Sequence, residues 1–181
     1  MRKIYFILTD TGTILSNIVK IFMRDEFGHV SLSLDKNLRQ MYSFGRLKPY
    51  NAFIGGFVHE NIKKGTFRRF SKTKALVLSY EIENEQYKSL KENIFELKKK
   101  RRQLSFNILG LFGIYFKIKR RKDDYFYCAE FIKYVTEKSG IDLKLPELVR
   151  PENFKHIEGC KIVYKGLLKD YKIKDNKINK E

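Results

Sequence analysis

The spacing of apolar and polar positions changes several times along the chain, and each change marks an element. Ile4 to Leu8 is a short continuous apolar run after a basic start, the pattern of a buried strand. Thr9 to Thr13 supplies a glycine and several side chains suited to a turn and an N-cap. Ile14, Ile18, Ile21 and Phe22 then fall on one stripe, which predicts a helix over Ile14–Met23. His29–Asp35 alternates strictly, with Val30, Leu32 and Leu34 on one face and His29, Ser31 and Ser33 on the other. Lys36-Asn37 reads as a tight turn, and Leu38–Phe44 as the returning strand of a hairpin.

Gly45 to Gly65 reads as irregular, because it holds Pro49 and the Gly55-Gly56 pair; Thr66–Phe70 and Lys74–Ile82 read as strands. Tyr87, Leu90, Ile94 and Leu97 recur at helical spacing behind a cap at Asn84, and Lys98–Arg102 closes that helix with charges that suit its C-terminal end. Phe106–Ile118 is apolar and fits either helix or loop. A later helix carries Cys128 in its first turn and ends near Ser139-Gly140, a C-cap signal. Pro146 and Pro151 punctuate an extended connection, and Lys161–Tyr164 reads as the last strand. Strands gather early and helices late, which predicts an α+β fold around a mainly antiparallel sheet. The expected organisation is a single domain over residues 1–167 with a polar basic tail over 168–181.

Composition sharpens this picture in three ways. The 181 residues suit one domain with a substantial core. The net charge of +17 suggests attraction to something anionic, although a Lys-rich proteome also makes surfaces basic without purpose. The charge is spread along the chain and thickens at Lys98–Arg102 and Lys119–Lys122, so an anionic surface or a nucleic acid is an admissible partner. The two cysteines, Cys128 and Cys160, do not make a secreted disulfide framework. The N-terminal apolar run breaks at Asp10 with no small-residue cleavage site, and Leu104–Phe116 is too short to span a bilayer, so a cytoplasmic protein is expected.

Candidate chemistry centres on Cys128. A cysteine at a helix start meets unpaired N–H groups and the positive end of the helix dipole, which favour a thiolate. Its spacing from Phe131, Ile132 and Val135 equally suits a small packed core residue. A thiol nucleophile needs an imidazole and a polar group to orient it. The histidines are His29, His59 and His156. His29, on the polar face of an alternating strand beside Ser31 and Ser33, is placed either to line a cleft or to sit exposed at a strand edge. His156 and Cys160 are separated from a regular helical turn by Gly159, and His59 has no evident partner. No Cys-x-x-Cys, His-x-x-x-His or phosphate-cradling glycine loop is present, so no metal or cofactor is expected.

Gly28-His29-Val30-Ser31-Leu32-Ser33-Leu34-Asp35 early in the chain, with Tyr125-Phe126-Tyr127-Cys128-Ala129-Glu130-Phe131-Ile132 opening a late helix, resembles the circularly permuted NlpC-type papain-like cysteine hydrolases. That family includes bacterial amidase-like proteins and lecithin-retinol-acyltransferase-like enzymes, and its permuted members place the histidine strand before the cysteine helix. The resemblance spans residues 1 to about 155. It implies a permuted papain-like fold, a small antiparallel sheet packed against the cysteine helix, with Cys128 as nucleophile and His29 as general base. It also implies a polar residue on the strand after His29. A two-residue turn at Lys36-Asn37 offers Tyr42 or Gln40; one further turn residue offers Ser43, since a one-residue slip flips the face. The implied activity is amide or ester hydrolysis, or acyl transfer, through an acyl-thioester on a peptide, amide or lipid-ester substrate.

Two rival readings follow from other features. Phe106–Phe116, flanked by basic clusters, suits a membrane-surface lipid acyl hydrolase or transferase of the same fold. The charge, with eleven Tyr and fifteen Phe, also suits a nucleic-acid-binding module without catalysis.

Overall fold

The run Ile4–Leu8 is apolar throughout, not alternating, because its strand is central and buried on both faces. The computed structural model describes residues 1–13, 17, 26–48, 51–101, 105, 106 and 125–171. The helix expected over Ile14–Met23, the apolar stretch after Phe106, the Lys119–Lys122 cluster and residues 172–181 lie outside the described residues.

The strands are β1 (Arg2–Asp10), β2 (His29–Ser33), β3 (Met41–Lys48), β4 (Asn51–Glu60) and β5 (Lys74–Ile82), then the short β6 (Ser105–Phe106) and β7 (Tyr125–Phe126), and finally β8 (Lys161–Leu167). The helices are α1 (Gly65–Arg69), α2 (Asn84–Lys99) and α3 (Cys128–Lys138), with a 3-10 turn over Pro151–His156. Six strands form one antiparallel sheet in the order β4-β3-β2-β1-β5-β8, and β6 pairs with β7 in parallel. The α+β expectation therefore holds.

The sheet divides its alternating residues between two clusters. Ile4, Phe6, Leu8, Val30, Leu32, Phe44, Leu76 and Leu78 meet α2, α3 and the 3-10 turn through Leu90, Ile94, Phe131, Ile132, Val135 and Phe154. Tyr5, Ile7, Met41, Ala75 and Val77 build a smaller cluster with Phe67 of α1, Leu38 and Leu168. Residues 168–171, read from the sequence as the beginning of a tail, pack onto the domain: Leu168 is buried, its N–H donates to Thr73 O at 2.9 Å, and the Tyr171 hydroxyl donates to Lys36 O at 2.9 Å.

Three local expectations are corrected. Gly45–Gly65 is not irregular: β3 runs on through Lys48 and β4 pairs with it, with Phe44 opposite Phe57 and Gly45 opposite Gly56. Gly45 marks a close approach inside the hairpin, and the Gly55-Gly56 pair sits within β4. Thr66–Phe70 is not a strand; Phe67 and Phe70 are spaced for one helical turn, and α1 buries Phe67. The turn after β2 is longer than two residues. Asp35 accepts the N–H groups of Arg39 at 3.2 Å and Gln40 at 2.6 Å, which delays β3 to Met41 and sets Leu32 opposite Tyr42. Ser43 thereby shares a face with Ser31 and His29.

Phe131→Ala is expected to destabilise the protein by about 3–5 kcal/mol, because the ring is fully buried against Phe44 and Phe57. Phe95→Ala, at an exposed α2 position, should stay within about 0.5 kcal/mol. Urea unfolding midpoints of the two variants check the contrast.

Candidate active site

The start of α3 is held by an aromatic wedge. Phe126 packs on Phe44 with ring centroids 5.2 Å apart, and Phe131 packs on Phe44 at 5.4 Å and Phe57 at 5.7 Å. Tyr127 is the N-cap residue in extended conformation, and its buried hydroxyl donates to Val149 O at 3.0 Å. Burial, with the nearby Glu130 and Cys128 charges, raises the Tyr127 phenol far above its ordinary pKa, so it stays a neutral donor. Ala129 is fully buried and adds no bulk between helix and sheet. Together these contacts place Cys128, itself buried, at the first position of α3. There the intrahelical i→i−4 bonds have not begun, and the dipole presents its positive end.

His29 opens β2, opposite Thr9 of β1. Its ring lies over Gly45: a Cβ on that glycine would stand 3.3 Å from His29 Cε1 and 3.8 Å from Nε2. The missing side chain is what admits the ring. His29 Nε2 is 3.0 Å from Glu60 Oε1, and since a carboxylate only accepts, Nε2–H is the donor. The Ser31 hydroxyl lies 3.3 Å from Nε2 and donates a short hydrogen bond to Glu60 Oε2. The side chains of His29 and Glu60 are 22% and 11% exposed, enough burial to strengthen their attraction.

The Cys128 side chain approaches the same ring. With Nε2 committed to Glu60, Nδ1 is the nitrogen left to serve the sulfur. Burial is the largest single influence on His29 and works against its charged form. The Glu60 charge, hydrogen bonds with Cys128 and Glu60, and the Cys128 charge together outweigh it, raising His29 from 6.5 to about 10. Burial likewise opposes the Glu60 carboxylate, but the His29 charge and contacts with His29, Ser31 and Ser43 hold its pKa below the ordinary value. The arrangement can keep an imidazolium beside a sulfur at neutral pH, which is the resting state a thiolate nucleophile needs.

The other residues singled out from the sequence are placed as follows. Ser43 is buried on the His29 side of the sheet, close enough to Glu60 to stabilise its charge but without a hydrogen bond of standard geometry. Tyr42 points the other way, stacked on His59 at 4.9 Å and Phe57 at 5.9 Å. Gln40 and Tyr42 line a separate groove with Lys88, Lys91 and Phe95. His59 is exposed and donates from Nε2 to Arg39 O at 2.8 Å. His156 ends the 3-10 turn, and burial raises Cys160 to about 11, which keeps it a thiol. Glu60 is hidden in the sequence because Gly45–Gly65 reads as irregular; the signal that reveals it is the Phe57-Val58-His59-Glu60 run that ends β4.

No family model matches this chain, and no curated protein matches it.

Removing the Glu60 charge should expose its role in the ion pair. In Glu60→Gln, the His29 pKa should fall by more than about one unit, read from the ring Hε1 resonance in an NMR titration. The stability consequence has a definite sign. A raised histidine contributes fully below its unfolded value of 6.5 and loses that contribution as pH climbs to about 10. The wild type should weaken over that window more than Glu60→Gln does, in denaturant unfolding followed at stepped pH.

Proposed function

We propose that the protein is a thiol-dependent acyl hydrolase or acyltransferase of the permuted NlpC-type papain-like kind. The observation that carries this reading is the His29 ring held between the Glu60 carboxylate and the Cys128 side chain at a helix start. Chain order agrees with the permuted arrangement, since the histidine strand precedes the cysteine helix. One departure is instructive. The strand next to the histidine strand contributes Ser43, whereas the carboxylate comes from β4, one strand further across the sheet.

In this mechanism the Cys128 thiolate attacks an amide or ester carbonyl, and the new S–C bond forms a tetrahedral intermediate. The N–H of Cys128, in the first turn of α3, donates to the developing oxyanion. Protonated His29 passes its proton to the leaving amine or alcohol as the old C–N or C–O bond breaks, leaving an acyl-thioester. Neutral His29 then takes a proton from water or an acceptor hydroxyl or amine, which attacks the thioester. Expulsion of the thiolate restores the ion pair. Glu60 holds the ring with Nδ1 toward the sulfur and stabilises the imidazolium; Ser31 fixes the carboxylate.

Incubation with a p-nitrophenyl ester should leave an acyl mass on Cys128 in intact-protein and peptide mass spectra. Cys128→Ser and His29→Ala should each lower ester turnover at least about 100-fold, with a smaller loss in Glu60→Gln. Iodoacetamide should label Cys128 faster in the wild type than in His29→Ala. Equal labelling rates in the two, with turnover indifferent to Cys128→Ser, would sink the proposal.

A further inference from the structure

The buried face of α2, through Leu90, Ile94 and Leu97, packs on the sheet. Beside it, Lys88, Lys91, Phe95 and Lys98 recur at helical spacing and make a second stripe. That stripe lines a groove of about 360 Å³. Leu34, Tyr42 and Ile94 are buried and form its apolar floor, and Gln40 completes the rim.

The cations of this stripe are not neutralised. Among the described residues none of Lys88, Lys91 and Lys98 makes an ion pair. Glu92 is the one carboxylate among the described lining residues, and although it lies one helical turn from Lys88 the two do not pair. The other acids close by are already engaged. Glu96 pairs with Lys99 at 2.8 Å, and Asp35, whose charge reaches the Tyr42 phenol, accepts the N–H groups of Arg39 and Gln40. Three free ammonium groups thus stand against one carboxylate around an apolar floor, and Lys99, Lys100 and Arg101 continue the positive charge at the helix end.

Charge and shape together select the occupant. At the rise of an α-helix, Lys88 to Lys98 spans about 15 Å, the length of about five extended residues. Apolar side chains of such a segment can enter the groove, while the flexible lysine stems bring their ammonium groups to carboxylates left at the rim. A flat lipid surface does not reach the floor, because Phe95 is the one lining apolar side chain that stands out, at 54% exposure. A nucleic acid finds little to stack on: the Tyr42 ring is already stacked on His59 and Phe57, and Lys99 Nζ lies 4.6 Å over the Phe95 ring. A second copy would bring its own net charge of +17 against this face.

We propose that this groove docks an extended acidic segment of a partner protein, about five residues long, with apolar side chains on Leu34, Tyr42 and Ile94 and carboxylates paired with Lys88, Lys91 and Lys98. The groove adjoins the C-terminal end of β2, whereas His29 opens that strand, so docking stands independently of the thiol chemistry.

The probe is the capped peptide acetyl-Glu-Leu-Glu-Leu-Glu-amide, titrated into the 15N-labelled full chain at low and at moderate salt. Saturable amide shifts are expected over residues 34–42 and 88–98, at higher peptide concentration as salt rises. The uncharged acetyl-Gln-Leu-Gln-Leu-Gln-amide should bind roughly 10-fold more weakly, the combined worth of three exposed ion pairs. The triple variant Lys88→Gln/Lys91→Gln/Lys98→Gln should lose roughly the same factor for the acidic peptide, its remaining amide spectrum serving as proof of folding. Phe95→Ala should weaken binding about 2- to 5-fold, the worth of a few tens of Å² of apolar ring surface. Cys128→Ser should bind the peptide as the wild type does, so a failed thiol mechanism leaves the groove standing. Absence of saturable shifts at these residues, equal affinity for the glutamine peptide, or affinity unchanged in the triple variant overturns the docking site. So does a short single-stranded oligothymidylate, or vesicles of anionic lipid, that moves the same amides at lower concentration than the peptide.

Discussion

The site depends on a pair of opposite charges that neither partner could keep alone. Burial works against the charged form of both His29 and Glu60, and each is held charged chiefly by the other. Their 3.0 Å contact supplies the attraction that offsets the desolvation of both. Removing one member of such a pair strands the other, at a cost of roughly 3–5 kcal/mol, so the arrangement is close to all-or-none. That condition reaches back into the sheet. His29 comes from β2, the glycine beneath it from β3 and the carboxylate from β4, so three strands must hold their register for the pair to form.

The sulfur is placed by a different kind of force. Phe126 and Phe131 flank Cys128 in sequence and interlock with Phe44 and Phe57, so the first turn of α3 is fastened to the strands that carry the ion pair. Dispersion and burial set the position of the helix end, while electrostatics set the protonation of the ring it meets. Phe44 joins the two. Its neighbours Ser43 and Gly45 face Glu60 and His29, while its own ring anchors α3. Alternation along one strand thereby serves helix packing on one side and the His29–Glu60 ion pair on the other.

Much of this framework was legible in the chain. The strands of Ile4–Leu8, His29–Ser33 and Lys74–Ile82 and the helices carrying Leu90 and Cys128 follow from period alone, because burial on one or both faces writes itself into the residue pattern. Few cysteines and histidines are present to choose among, and the pairing of Cys128 with His29 is what the family resemblance implies. Glu60 is hidden in the sequence because the Gly55-Gly56 pair reads as a loop signal, although it sits inside β4, the strand that ends at Glu60. The choice between Tyr42 and Ser43 hung on one residue of turn length, which the Asp35 carboxylate settles by capturing the N–H groups of Arg39 and Gln40.

What the sequence determined by itself was which residues could be buried and which could do chemistry: the alternating strands, the amphipathic helices, a cysteine at a helix start and a histidine on a polar face. What only the tertiary structure decided was which of those residues meet. Register across three strands, the space above Gly45 and the charge of Glu60 are properties of contacts between segments far apart in the chain. Local periodicity reports the environment of a residue but not the identity of its neighbour. A carboxylate thirty-one positions from its histidine becomes a partner only when the sheet is assembled.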